Sequence, residues 1–300
     1  MTSNVIVVGS ANQDYLIDSS ALPEPGETRL AKGLKKLPGG KGANQAVAAA
    51  RLGATVHFVG AVGDDDDGAR MINTLQNEGI DTGAVEVTSE PTGLAIVTVL
   101  PGGENAITVV PGANFTVTAE RAAETVRRLA EPGGVLVVQA EIPVPSIGAA
   151  VTAAAEAGLR PVINLAPYTE LPTEVVALAD PLVVNEVEAA DMVGRIIRDL
   201  PEVLQAANEL VGRTRSVVIT LGGAGACWAT SEGFGHVPAP GVDEVVDTTG
   251  AGDAFVGGLA RRLADSADLE AAVRYGVEVG TFAVTRLGAQ TSYPTPADLG

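Results

Sequence analysis

The stretch Asp247-Thr248-Thr249-Gly250-Ala251-Gly252-Asp253-Ala254-Phe255 sets two carboxylates around a small glycine-rich turn, and a helix-like run, Ala254 to Ala264, follows at once. Gly250 and Gly252 permit close backbone approach to a ligand and positive φ. Backbone N–H groups and the positive end of a helix dipole then gather at one point, which attracts a phosphate. Asp253 stands at the helix mouth, where it can take a proton. An anion hole beside a base is what phosphoryl transfer to a hydroxyl requires. The plainer alternative is a loop before a helix, with Asp253 as its N-cap.

A second string, Pro38-Gly39-Gly40-Lys41-Gly42-Ala43-Asn44-Gln45-Ala46, also opens a helix, expected over Ala43 to Leu52 with Gly53 as its stop. Lys41 and Asn44 supply polar groups able to hold sugar hydroxyls. Neither GxxxxGK[ST] nor GxGxxG occurs in the chain, so a Walker A loop and a nicotinamide-binding fingerprint are unsupported.

Elements that position these strings are legible in the pattern. Short apolar runs at Val5–Val8, Thr55–Val59, Val135–Val138, Pro161–Asn164, Leu182–Val184 and Val217–Thr220 read as strands buried on both faces. Helical stretches fall between them: Asp65–Asn77, Ala119–Leu129, Ser146–Ala157 and Pro201–Val211. Alternation of this kind predicts βαβ units and a parallel sheet flanked by helices. Ligands bind beyond the carboxyl ends of such strands, and Asn12, Asp14, Glu141, Asn185 and Thr220 all lie at or just after those ends. Two regions, 14–38 and 92–110, hold strand-like pieces with several Gly and Pro and read as a small β lid. Within them Arg29–Leu37 and Ile96–Leu100 are expected as strands without a core of their own, whose exposed edges seek a partner. The four acids Asp64–Asp67 complement a helix N-terminus better than they suggest a metal site.

The two strings resemble the two signatures of the ribokinase-like (PfkB) carbohydrate kinase family, in the family's order and across nearly the whole chain. Asn12-Gln13-Asp14 resembles its N-x-D sugar site, Asn185-Glu186-Val187-Glu188 its N-x-x-E, and Thr220–Gly225 its nucleotide loop. The resemblance implies a three-layer α/β/α fold with a central, mostly parallel sheet and a β lid, one domain over 1–300. It implies ATP-dependent phosphorylation of a pentose, D-ribose at its 5-hydroxyl. Another furanose (deoxyribose, fructose or a nucleoside) and a non-catalytic sugar-binding regulator stand as alternatives, though the intact Asp253 and glycine hole speak against the latter.

The same resemblance implies roles. Asp253 takes the hydroxyl proton, and Gly250, Ala251 and Gly252 form the anion hole. Asn12, Asp14, Gly40, Lys41, Asn44 and Glu141 hold the sugar. Asn185, Glu188, Thr220, Gly222, Gly225 and Gly252 serve the nucleotide, with Glu188 in the Mg²⁺ shell. A monovalent cation, K⁺, sits on Asp247, Thr249, Ala283, Arg286, Gly288 and Ser292. Some relatives carry Asn or His where this chain has Val277, so one hydrogen bond to adenine is absent.

Bulk properties agree with an enzyme of small molecules. The 300 residues are 46% hydrophobic and 19% charged, which excludes a disordered chain. Acids outnumber bases 37 to 19, a net charge of −18 that disfavours nucleic acid. All four lysines lie between Lys32 and Lys41, and Lys32, Lys35 and Lys36 read as a solvated surface strand. One cysteine, Cys227, permits no internal disulfide and suits a reducing, cytoplasmic setting. His57 and His236 read as structural, no Cys/His cluster suggests zinc, and neither a signal peptide nor a membrane span is expected. A homodimer formed through the lid is expected.

Overall fold

The structure, a computed structural model, describes residues 4–101 and 105–299. Its chain begins with β1 (Asn4–Val8), β2 (Asn12–Asp18) and β3 (Gly33–Gly39), then α1 (Lys41–Arg51), β4 (Thr55–Gly63), α2 (Asp66–Asn77) and β5 (Asp81–Thr88). Strands β6 (Gly93–Val99) and β7 (Asn105–Val110) precede α3 (Ala119–Leu129), β8 (Val135–Gln139), α4 (Val144–Glu156), β9 (Arg160–Asn164) and α5 (Thr173–Val176). After β10 (Leu182–Asn185) come α6 (Glu186–Val193), α7 (Leu200–Val211), β11 (Ser216–Thr220), β12 (Ala226–Thr230) and β13 (Phe234–Val237). Helices α8 (Ala251–Ala264), α9 (Leu269–Ala283) and α10 (Pro296–Leu299) close the chain.

Nine strands form the main sheet in the order β13-β12-β11-β10-β9-β8-β1-β4-β5, with parallel pairing throughout except on the two sides of β12, which alone runs the other way. Side chains alternate across it. Ile6 and Val8 enter one core with α3, α4, α6 and α7, while Val5 and Val7 enter another with α1, α8 and α9. This is the three-layer α/β/α arrangement. From β1 the chain runs outward to β4 and β5, and from β8 it runs the other way to β9, β10 and β11. The order therefore reverses between β1 and β8, where a ligand crevice opens at the carboxyl ends.

The six expected strands and four intervening helices are present within about two residues, except that β4 runs on past Val59 to Gly63. Strands β5, β12 and β13 were not anticipated. β5 mixes buried and exposed positions, with a register shift against β4, and β12 and β13 lie at the opposite, antiparallel end. Helix α1 starts at Lys41, two residues earlier than expected, because Gly40 at φ +86° supplies the turn into it. In the four-stranded lid, of order β3-β2-β6-β7, Arg29–Lys32 are not strand, since β3 pairs with β2 only from Gly33 onward.

Helices α1 and α8 pack against one another with little between them. A β-carbon at Gly257 would overlap the methyl of Ala48 and stand 2.9 Å from Gln45 O and from Ala49 N. Only a residue without a side chain allows this approach. Asp65 caps α2, accepting from Gly68 N, and also accepts from Thr92 N, so the acidic run is structural. Cys227 is buried in the core, His57 contacts Asp81, and His236 contacts Ala224 O. Among the described residues no helix is long and apolar enough to cross a membrane.

Candidate active site

Asp253 lies inside the first turn of α8, and the N-cap is Gly250, at φ +74°. The capping alternative is thereby corrected. The Asp253 carboxylate accepts from Asn44 Nδ2 at 3.0 Å and from Gln45 Nε2 at 2.9 Å, and the residue is only 7% exposed. Early amides of an α-helix have no intrahelical acceptor, so those of Gly252 and Asp253 are available at this turn. That of Ala251 makes a long turn bond to Thr248 O, 3.3 Å, which weakens its part in an anion hole. A β-carbon at Gly252 would meet nothing within 4 Å, so the space beside the turn is open. Its backbone is helical and needs no positive φ, unlike that of Gly250. At Gly250 a β-carbon would press to 2.6 Å from Ala289 Cβ and Tyr293 Oη.

Facing Asp253 is a group contributed by three elements. Glu141, after β8, accepts from Ser10 Oγ at 2.5 Å and from Lys41 N at 3.1 Å, bridging the β1/β8 crevice to the start of α1. Asp14 projects from the lid strand β2. Burial, with the charges of Glu141 and Asp253 nearby, pushes its carboxyl up to about 7. Lys41 is held above its usual range, first by Asp253 and then by Glu141 and Glu188. Its ammonium therefore stands in the field of carboxylates from three separate elements. Asn12 is buried, and its Oδ1 accepts from Asn114 Nδ2 at 2.7 Å, leaving its amide nitrogen as the end able to meet a ligand. Gly40 brings the backbone against Asn12 N and Ala11, where a β-carbon would stand within 3.0 Å.

The residues expected to serve the nucleotide gather at the ends of β10 and β11. Asn185 and Glu188 form a reciprocal capping box at α6: Glu188 N donates to Asn185 Oδ1 and Asn185 N donates to Glu188 Oε2, both at 2.8 Å. Glu188 is 9% exposed, so it is not a surface acid, and burial pushes its carboxyl up. Thr220 pairs with Asn185 across the sheet, and the turn over Gly222 to Gly225 is exposed at its tip. Val277 is buried in the core of α8 and α9.

Asp247 accepts from Thr249 N at 2.9 Å and Gly288 N at 2.8 Å, tying its own turn to the 286–292 loop. Burial opposes its charge, but these hydrogen bonds outweigh it and hold the carboxyl below its ordinary value. Ser292 is fully buried with Oγ donating to Ala289 O, and Ala283 O accepts from Arg286 N. An ionised carboxylate beside a loop of carbonyls fits a monovalent cation. Among the described residues no group of three His, Cys, Asp or Glu could hold a metal. A Mg²⁺ held mainly by phosphates and water, with Glu188 nearby, fits that sparse set.

Sequence reasoning passed over Ser10, Gln139, Asn164, Asn114 and Gln290, and quoted Gln45 without a role. Gln139 and Asn164 end β8 and β9, so the strand-end rule that found Glu141 could have found them too.

The sequence matches the pfkB family carbohydrate kinases over residues 2–296. It is 35% identical to ribokinase of Haemophilus influenzae, over 98% of this chain and 96% of that one. It is also 35% identical to deoxyribokinase of Salmonella typhi, over 97% and 96%. The structure of Arabidopsis thaliana ribokinase complexed with ribose and ATP superposes with a TM-score of 0.90 at 30% identity, covering 100% of this chain and 98% of that one. A matched family across nearly the full length, with a buried carboxylate at an open helix turn in the β1/β8 crevice, places the chain in the pfkB family of carbohydrate kinases.

Proposed function

We propose that the chain transfers the γ-phosphoryl group of ATP to the 5-hydroxyl of D-ribose. The observation that carries this reading is the fixed carboxylate of Asp253 beside the open first turn of α8, opposite Asp14, Lys41 and Glu141. Asp253 takes the proton of the attacking hydroxyl. The amides of Gly252 and Asp253, with the helix dipole, receive the transferred phosphoryl group. Asp14, Asn44, Glu141 and Lys41 meet the remaining sugar hydroxyls, which would be costly to bury unpaired. Asn185, Glu188 and the Thr220–Gly225 turn serve the nucleotide.

When bound, Mg²⁺ neutralises phosphate charge, with Glu188 at its edge. Asp247, with Thr249, Ala283, Arg286, Gly288 and Ser292, would hold K⁺, whose charge would help order the turn before α8. The lid supports a homodimer. Its face with Asp14 also carries Leu16, Leu37, Val97, Ile107 and Val109, and Ile107 is 61% exposed. A second lid would cover that face, and sedimentation equilibrium at micromolar concentration checks it. A cytoplasmic setting accords with the single buried thiol of Cys227.

Deoxyribose is the second reading, favoured by an equal identity to a deoxyribokinase. A coupled ADP-release assay over ribose, deoxyribose, fructose and nucleosides decides between them. Ribose should show the highest kcat/KM, and a preference for any other sugar overturns the assignment.

A further inference from the structure

Behind Asp253 lies a set of buried amides whose side chains bond mainly to one another and to its carboxylate. Gln45 Nε2 donates to Asp253 Oδ1 at 2.9 Å and to Asn164 Oδ1 at 2.8 Å. Gln45 Oε1 accepts from Gln139 Nε2 at 2.6 Å, and Asn164 Nδ2 donates to Val183 O. On the other side Asn44 Nδ2 donates to Asp253 Oδ2, and Asn44 Oδ1 accepts from Gln290 Nε2, each at 3.0 Å. All five amide residues are 8% exposed or less.

The direction of this network is set by its chemistry. An ionised carboxylate only accepts, so Asn44 and Gln45 must turn their nitrogens toward Asp253. Their oxygens then face outward and must be met by the nitrogens of Gln290 and Gln139. Two relays, Gln139 to Gln45 to Asp253 and Gln290 to Asn44 to Asp253, thus point their donors at the carboxylate, while Gln45 also donates sideways to Asn164. The arrangement carries a cost, because the outer oxygens, Gln139 Oε1 and Gln290 Oε1, are buried without a partner. A core built only for packing would use aliphatic side chains there. Gln290 also belongs to the loop that Asp247 ties down, and its carbonyl accepts from Arg51 Nη1, which anchors that arm.

The geometry points to Gln45 and Gln290 as positioning residues that hold the Asp253 carboxylate, from two sides, in its ionised form and fixed orientation. The inference rests on Asp253 being the base. Neither glutamine is placed against substrate; each acts through its bond to, or toward, that carboxylate.

The test uses the full-length enzyme with Gln45→Leu, Gln290→Leu and Asp253→Asn. Removing a donor to the charged form makes that form less favourable. Gln45→Leu should therefore lower kcat by about 10–100-fold and move the acidic limb of kcat against pH to higher pH. Its sugar KM should stay within about threefold, since no sugar contact is lost. Gln290→Leu acts through Asn44, so its limb moves the same way with a smaller fall in kcat. Values of kcat near wild type, or an unmoved acidic limb, in a folded Gln45→Leu overturn the inference. If Gln45→Leu does not fold, Gln290→Leu decides by the same limb. If neither folds, the amides are a folding element and the inference falls. Asp253→Asn separates the two levels. A nearly inactive Asp253→Asn beside normal glutamine variants overturns only this inference, whereas an active Asp253→Asn removes the base assignment beneath it.

Discussion

The carboxylate of Asp14 occupies the space in which a β-carbon at Gly39 would stand. The two residues lie on paired strands at the root of the lid, and Gly39 leads directly into the turn before α1. Gly39→Ala should push Asp14 out of the pocket. We expect the sugar KM to rise by about tenfold or more, the equivalent of one lost charge-assisted hydrogen bond, with the ATP KM nearly unchanged. Steady-state kinetics with each substrate varied in turn checks this, and an ATP-specific effect would contradict it.

Asp14 also makes stability and binding depend on pH in opposite ways. Its carboxyl ionises near 3.8 when unfolded and at about 7 in the native protein. The native state therefore holds the extra proton between those values. Stability from this group is fully present below about pH 4 and is lost as pH rises toward 7. Asp14→Asn should gain roughly 2–4 kcal/mol in urea unfolding at pH 8 and almost nothing at pH 4. Sugar affinity of the natural enzyme should improve as pH rises through 7, because hydroxyl donors favour the carboxylate.

Asp253→Asn distinguishes a base from a helix cap. An Asn cap would be as good as Asp, but Gly250 already holds that position. We expect kcat to fall by ~10²–10⁴, about 3–5.5 kcal/mol of barrier. The new amide must present its NH₂ to one of two donors, Asn44 or Gln45. The variant should therefore also lose about 1–3 kcal/mol of stability, measurable by denaturant titration.

Asn114 joins the roots of the lid. Its side chain accepts from Ala11 N and donates to Asn12 Oδ1 and Pro111 O, and a β-carbon at Gly93 would collide with it. Asn114→Ala should cost about 1–3 kcal/mol and raise the sugar KM more than the ATP KM. Unchanged sugar kinetics in a destabilised variant would confine Asn114 to a purely structural part.

Asp247→Ala cuts the tie between the Thr249 turn and Gly288. Activation by K⁺ over tetramethylammonium should vanish, and amide hydrogen exchange in the 286–292 loop should quicken. Equal rates of the natural enzyme in the two cations would remove the ion from the scheme.

Much of this was legible because the main sheet is written in β-branched runs and its helices in Ala-rich stretches with clear stops. Val5–Val8 and Val135–Val138 can be little else than central strands. Asp253 and Lys41 announced themselves through glycine-rich neighbours, and Asp14 and Glu141 through their places near strand ends. The amides did not. Gln139, Asn164 and Gln290 have no charge, and Gln45 meets Asp253 across 208 positions of sequence. Their meaning lies in which atom faces which, and this exists only after folding. Asp14 shows the same limit: its chemical type could be read, while its upward displacement depends on burial and on Glu141 and Asp253.

Gly257 stands one helical turn beyond Asp253, and Ala48 one turn beyond Asn44. The gap between them works as a feeler gauge for the Asp253 carboxylate. Any side chain there would wedge α1 from α8 by roughly 1 Å, enough to part a hydrogen bond. A methyl group that never meets a ligand would then loosen both grips on Asp253 at once. The tolerance of this enzyme is thus narrow at an apolar spot a turn away from Asp253, where the missing atoms of one glycine set the length of two bonds.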